Sequence, residues 1–272
     1  MQNIVIPGTS ATTSRLGLGT ASLHHLFHAQ DRQNLLNTAW DEGFTHFDTA
    51  PMYGEGMAER ELGKFLHKRR QDATIATKFG LPPIKLLQKF PTLIYPHKAL
   101  GKLGRRLLPN WWDKRQRLLS PTAAEASLSN SLQALGTDWL DILFLHEPLA
   151  SEIEAIQSLA GWLQHQKESG KVRYLGLAGN AQDCLSIKQK TEGLFDILQV
   201  EDSLDGKEAD LITQSGRPLQ ITFGYLRRAS VQSSQLTGDT ILQKALTRNQ
   251  EGMILVSSRQ PARLRHLASL AS

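Results

Sequence analysis

The chain has 272 residues, 40% hydrophobic and 21% charged, with a single cysteine and a formal net charge of +5. That composition is ordinary for a globular protein and excludes a disordered or collagen-like chain, and one cysteine excludes an internal disulfide framework and a cysteine-cluster metal site. The sequence shows no charged-then-apolar leader and no 18-residue apolar run, so a cytoplasmic protein is expected.

In chain order, "NIVIPGTSATT" sets turn residues between two extended pieces and predicts a hairpin that plugs the N-terminal end of the fold. Eight short apolar runs follow as strand candidates: "SRLGLGT", "THFD", "ATIATK", "WLDILFLH", "YLGLAG", "DILQV", "PLQITFG" and "MILVSS". Amphipathic stretches separate most of them. Met57 to Lys68 places Leu62, Phe65 and Leu66 on one face, and Pro121 to Leu135 places Leu128, Leu132 and Leu135 at i, i+4, i+7. The second has Ser120 to cap it, Pro121 at its first position and Gly136 just past its end. Ser151 to Ser169 is expected as one helix stopped by Gly170. Cys184 follows "NAQD" at a helix start and is read as packing.

Strands that are apolar almost throughout are covered on both faces, which in a βα alternation means a parallel sheet. Eight such units predict an α/β protein, a (β/α)₈ TIM barrel with an N-terminal hairpin cap. No internal repeat or linker-like stretch divides the chain, so residues 1–272 are read as one domain.

In a barrel of this kind chemistry sits where strands end and βα loops begin. Asp48 ends the second strand candidate, Tyr53 lies in the loop after it, Lys78 ends the third and His146 ends the fourth. Each alone has an ordinary role: turn former, loop anchor, solvated strand end, hydrogen-bonded residue before a proline. Together they bring an acid, a phenol, an amine and an imidazole to one rim. A phenol is a poor acid at neutrality, but a neighbouring ammonium is expected to lower its pKa. Lys78 can supply that charge, Asp48 can hold Lys78, and His146 can orient a substrate oxygen, so Tyr53 is expected to protonate a carbonyl that receives hydride. No metal site is expected.

The segments "FDTAPMYGEGMAERELG", "ATKFG", "FLHEP" and "GKVRYLGLAGN" resemble, in order and spacing, the signature segments of the aldo-keto reductases. The resemblance implies NADP(H) as cofactor, a small carbonyl compound as substrate, and Asp48, Tyr53, Lys78 and His146 as a catalytic tetrad with Tyr53 the general acid. It also implies cofactor contacts at Gly19, Thr20 and Asp48, at Gln199 for a carboxamide, and at Ser257, Ser258, Arg259 and Arg263 for an adenosine phosphate. The usual Ser-Asn pair after the fifth strand is replaced by Ala178 and Gly179, with Asn180 directly behind as its substitute, and these three positions are expected to meet the cofactor. Asp202 stands where an aromatic is expected to stack on the nicotinamide, and Leu267 where an asparagine meets adenine.

Two other functions share these residues: a nucleotide-binding sensor or subunit with little turnover, and a Schiff-base lyase using Lys78, which would need that lysine unpaired. Residues 81–120 carry nine Lys or Arg against the single acid Asp113, a net +8 in a chain of +5 overall. Their interleaved apolar and aromatic residues predict a lid on the active-site face that draws anionic substrates. Contact with an anionic membrane surface is the alternative for this stretch. No nucleic-acid module is recognisable.

Overall fold

Two three-residue strands, β1 (Asn3–Val5) and β2 (Thr12–Ser14), pair antiparallel with Ile4 opposite Thr13. The computed structural model to which they belong describes residues 1–89, 116–227 and 236–272. Most of the basic insertion, residues 90–115, thus lies outside the described residues.

Eight further strands close into an all-parallel barrel: β3 (Leu16–Gly19), β4 (His46–Asp48), β5 (Thr74–Phe79), β6 (Leu140–His146), β7 (Val172–Gly179), β8 (Ile197–Glu201), β9 (Ile221–Phe223) and β10 (Met253–Val256), with β10 returning to pair with β3. They are the eight expected from the sequence. The expected hairpin also caps the barrel. Ile6, just after β1, is wholly buried among the interior side chains Ile142, Ile197, Ile221 and Met253, and the Tyr174 hydroxyl near the start of β7 lies 2.7 Å from Ser10 Oγ.

Alternation along each strand separates two cores. Ile142 and Phe144 of β6 point inward to the barrel interior, while Leu143 and Leu145 join the outer core beneath the helices with Leu128, Leu163 and Ile187. Every residue of β5 and β6 is buried, which is why these strands read as largely apolar runs. Gly176 on β7 has no room for a side chain, because the Phe144 ring occupies the place of its Cβ.

The helices α1 (Ala29–Asp41), α2 (Met57–Leu66), α3 (Lys85–Lys89), α4 (Pro121–Leu135), α5 (Ile153–Ser158), α6 (Ala160–Glu168), α7 (Ala181–Lys190), α8 (Asp210–Gln214), α9 (Gly238–Arg248) and α10 (Pro261–Ser269), with short 3₁₀ turns at Leu23–His25 and Ala150–Glu152, complete the described elements. The bounds of α4 are those expected: Ser120 Oγ accepts from Ala123 N at 3.3 Å and Gly136 turns left-handed at φ +64°. The single helix expected over Ser151 to Ser169 is instead interrupted. Leu159 is drawn fully into the core between α5 and α6, and the Ser158 hydroxyl donates to the Ala155 carbonyl at 2.6 Å, a back-bond that bends helices. Among the described residues no helix is long and apolar enough to cross a membrane.

Candidate active site

A cavity of about 570 Å³ opens at the C-terminal ends of the barrel strands, and its wall includes Asp48, Tyr53, Lys78 and His146. The four residues reach it from three adjacent strands, in the register that pairs Asp48 with Ala76 and Lys78 with Phe144. Tyr53 is presented by an unusual bend. Gly54, Glu55 and Gly56 follow it with φ of +56°, +54° and +82°, a left-handed run that two glycines make tolerable. The Glu55 carboxylate fixes the bend by accepting from Ile84 N at 2.7 Å.

Lys78 is 2% exposed and Asp48 3%. The ammonium donates to both Asp48 oxygens at 2.6 Å and to the Thr49 carbonyl at 2.9 Å. Burial alone would depress the Lys78 pKa; the Asp48 carboxylate, with the Tyr53 phenol second, outweighs it and holds the pKa above its ordinary value. A buried charge so paired stays charged.

Above this pair the Lys78 ammonium lies 4.9 Å from the centre of the Tyr53 ring, and the His146 ring meets the same ring edge-on at 5.9 Å. The expected direction of the Tyr53 pKa is corrected here. Burial dominates and raises it; Lys78 acts downward as anticipated, but Asp48 beside it acts upward. The phenol is therefore a stably protonated donor rather than a partly ionised one.

The remaining predicted positions divide. Gly19, Ala178, Gly179, Gln199 and Ser257 line the cavity. Gln199 Nε2 donates to Asp48 Oδ2 at 3.2 Å, and its Oε1 is buried with no hydrogen-bond partner among the described residues. Ser257 Oγ lies 2.8 Å from Ser22 Oγ, across the junction of the first and last βα loops. Thr20 stands behind the wall, its backbone and hydroxyl both donating to the Asp48 carbonyl. Asn180 caps α7, accepting from Gln182 N at 2.8 Å and Asp183 N at 3.2 Å. Ser258 is bonded locally to Gln260. Arg259 and Arg263 are exposed, and the Arg263 guanidinium lies over Gly238 at the start of α9.

Asp202 does not face the cavity. It is wholly buried and accepts from Tyr225 Oη and Arg248 Nε, each at 2.6 Å, and from Ala209 N at 3.0 Å. The aromatic in the wall is Phe223, the last residue of β9, with Tyr225 next to it. The strand-end rule that picked out Asp48, Lys78 and His146 would also have found Phe223. Leu267 is likewise wholly buried in the outer core, where an adenine-contacting role has no access. Glu147 also lines the cavity, and nothing in its spacing distinguishes it.

Comparison with known proteins decides the ancestry of this arrangement. The Aldo/keto reductase family profile matches residues 15–205. The chain belongs to that family. Among curated members, a D-threo-aldose 1-dehydrogenase from a Pseudomonas species is 30% identical over 194 residues, covering 68% of this chain and 55% of that protein. The NADH-specific methylglyoxal reductase of Escherichia coli is 28% identical over 75% of this chain and 60% of its own length. The matches thus span about half the length of these curated relatives. The fold is shared more widely: the holo form of an aldo-keto reductase from Bacillus halodurans superposes with a TM-score of 0.76 at 18% identity, covering 99% of this chain and 90% of that one. An aldo-keto reductase from Klebsiella pneumoniae in complex with NADPH gives 0.70, also at 18% identity, over 100% and 90%.

Proposed function

We propose that this aldo/keto reductase is an NADPH-dependent oxidoreductase that reduces an aldehyde or ketone to an alcohol, reversibly, with Tyr53 as general acid. The observation that carries the reading is the buried Lys78–Asp48 pair, closed at 2.6 Å on both oxygens directly beneath the Tyr53 phenol. When bound, the nicotinamide supplies or accepts hydride. Tyr53, kept protonated by burial, donates to the carbonyl oxygen as negative charge develops there, and the phenolate left behind is stabilised by Lys78. Asp48 fixes the ammonium in place, and His146, edge-on to Tyr53, orients the same oxygen. In the oxidative direction the Tyr53 phenolate takes the proton back.

The cavity fits a nicotinamide on its own terms. The buried, unpartnered Gln199 Oε1 is an acceptor for a carboxamide N–H, and Phe223 offers a planar apolar surface for a ring. Gly19, Ala178 and Gly179 leave the backbone open to close approach. The NADP(H) preference rests on Arg259, an exposed guanidinium without a partner among the described residues, because a fork of this kind pairs bidentately with a phosphate. Relatives carry both preferences in their names, NADP(+) in a Schizosaccharomyces pombe aldo-keto reductase and NADH in the Escherichia coli methylglyoxal reductase. The basic insertion read over 81–120 lies mostly outside the described residues.

A Schiff-base role for Lys78 is disfavoured, because its bidentate ion pair keeps it protonated and a protonated amine is no nucleophile. Mixing the protein with NADPH and an aromatic aldehyde tests the proposal: the reduced-cofactor absorbance should fall in proportion to protein added. Saturable binding of NADPH without consumption would replace the enzyme by a sensor. A borohydride-trapped substrate adduct on Lys78, formed without NADPH, would replace it by a lyase.

A further inference from the structure

Glu147 stands directly after His146, so its Cα is one peptide unit from that of the histidine, about 3.8 Å. Its backbone is left-handed at φ +46°, a conformation that strains a non-glycine residue and persists only where its surroundings impose it. Those surroundings are explicit. Glu147 N donates to the Ala178 carbonyl at 2.6 Å, Pro148 follows, and Gly179 leaves the space in which a Cβ would sit 3.0 Å from Glu147 Cα. Held this way, the residue lines the cavity on the His146 side. Its carboxylate has no hydrogen bond or ion pair among the described residues. Arg117, on the neighbouring loop, is engaged elsewhere: it donates to the His146 carbonyl at 2.9 Å and pairs with Glu152 at 3.3 Å.

We infer that Glu147 sets substrate choice: it accepts a hydrogen bond from a hydroxyl two or three bonds from the reacting carbonyl, and it turns away substrates that carry a carboxylate there. The inference rests on the carbonyl-reductase reading and narrows its substrate class to hydroxy-aldehydes and hydroxy-ketones. A hydroxyl suits the place because it can donate to a carboxylate acceptor. A carboxylate meets like charge at close range.

The test measures kcat/KM with NADPH for glyceraldehyde, propanal and glyoxylate, in the native protein and in Glu147→Gln. The glyceraldehyde-to-propanal ratio should fall roughly tenfold in the variant and the glyoxylate-to-propanal ratio should rise roughly tenfold, the scale of one charge-assisted hydrogen bond in a partly solvated site. Glu147→Asn, whose side chain tolerates the left-handed backbone, should melt no lower than the native protein and move both ratios in the same directions. Ratios within about twofold of native in both variants would overturn the role of Glu147 while leaving the reductase reading intact. Failure of the native protein to reduce any of the three would overturn that reading and this inference with it.

Discussion

From β4 to β6 the rim consists of side chains that hold one another: Lys78 grips both oxygens of Asp48, His146 is 6% exposed, and the Tyr53 ring sits between them. From β7 to β10, Gln199 and Ser257 apart, the matching positions are bare or engaged elsewhere. Ala178 and Gly179 offer no polar side chain, Asn180 caps a helix, and Arg259 and Arg263 are exposed. On the proposed function, the contrast follows from what each half would do. Proton transfer demands groups at fixed, water-poor distances whose charges set one another's pKa, so no member can change alone. Contacts to an extended cofactor are numerous and individually weak, so single positions can drift while binding persists. Divergence from the family pattern collects on that second side.

Lys78→Met attacks the tight half and should have the largest effect. It leaves a buried carboxylate uncompensated, so we expect about 3–5 kcal/mol of lost stability by urea denaturation, together with carbonyl reduction down ~10² or more. Retained stability would mean that Asp48 is not held as described. On the loose half, Arg259→Ala should weaken NADPH binding roughly tenfold, as loss of a charged hydrogen bond does, with NADH binding unmoved; titration of each cofactor checks it. Equal affinity of the native protein for both would remove the NADP(H) preference.

Smaller effects sharpen the comparison. Asn180→Ala should cost about 1 kcal/mol of stability, the usual value of a helix cap, with NADPH affinity within about twofold of native. A clear loss of affinity would return Asn180 to the cofactor site. Glu59 on α2, bonded by Thr77 Oγ1 at 2.7 Å, supports β5 from outside the barrel. Burial holds its carboxyl above the ordinary value of 4.5, with the Thr77 and Ser131 hydroxyls acting downward. A carboxyl whose folded pKa is raised contributes stability below its unfolded pKa and loses it as pH rises through the folded one. Glu59→Gln has no proton to lose, so its stability relative to native should improve from pH 4 toward neutrality. Urea midpoints across that range check the sign.

The barrel was legible because its strands are short, apolar and buried on both faces, and the tetrad because polar residues closing such runs have few other reasons to be there. Three features were not. The interruption at Leu159 depends on a hydroxyl back-bond and on which leucine the core admits, neither of which alters the i, i+4 pattern. Asp202 follows β8 closely enough to suggest the cavity, yet only the position of Arg248, 46 residues away in sequence, decides that it turns outward. The Tyr53 pKa required weighing burial against an ammonium already half-neutralised by Asp48. The anionic preference expected from the insertion falls mainly on residues 90–115 and lies outside the described residues.

The central claim is that Tyr53 gives the proton. Tyr53→Phe keeps the ring against His146 and removes only the acid, so single-turnover consumption of NADPH should be compared between this variant and the native protein at saturating aldehyde. The account predicts NADPH binding close to native and a rate of consumption lower by ~10² or more. A rate within a few-fold of native, with the cofactor equally bound, would contradict it.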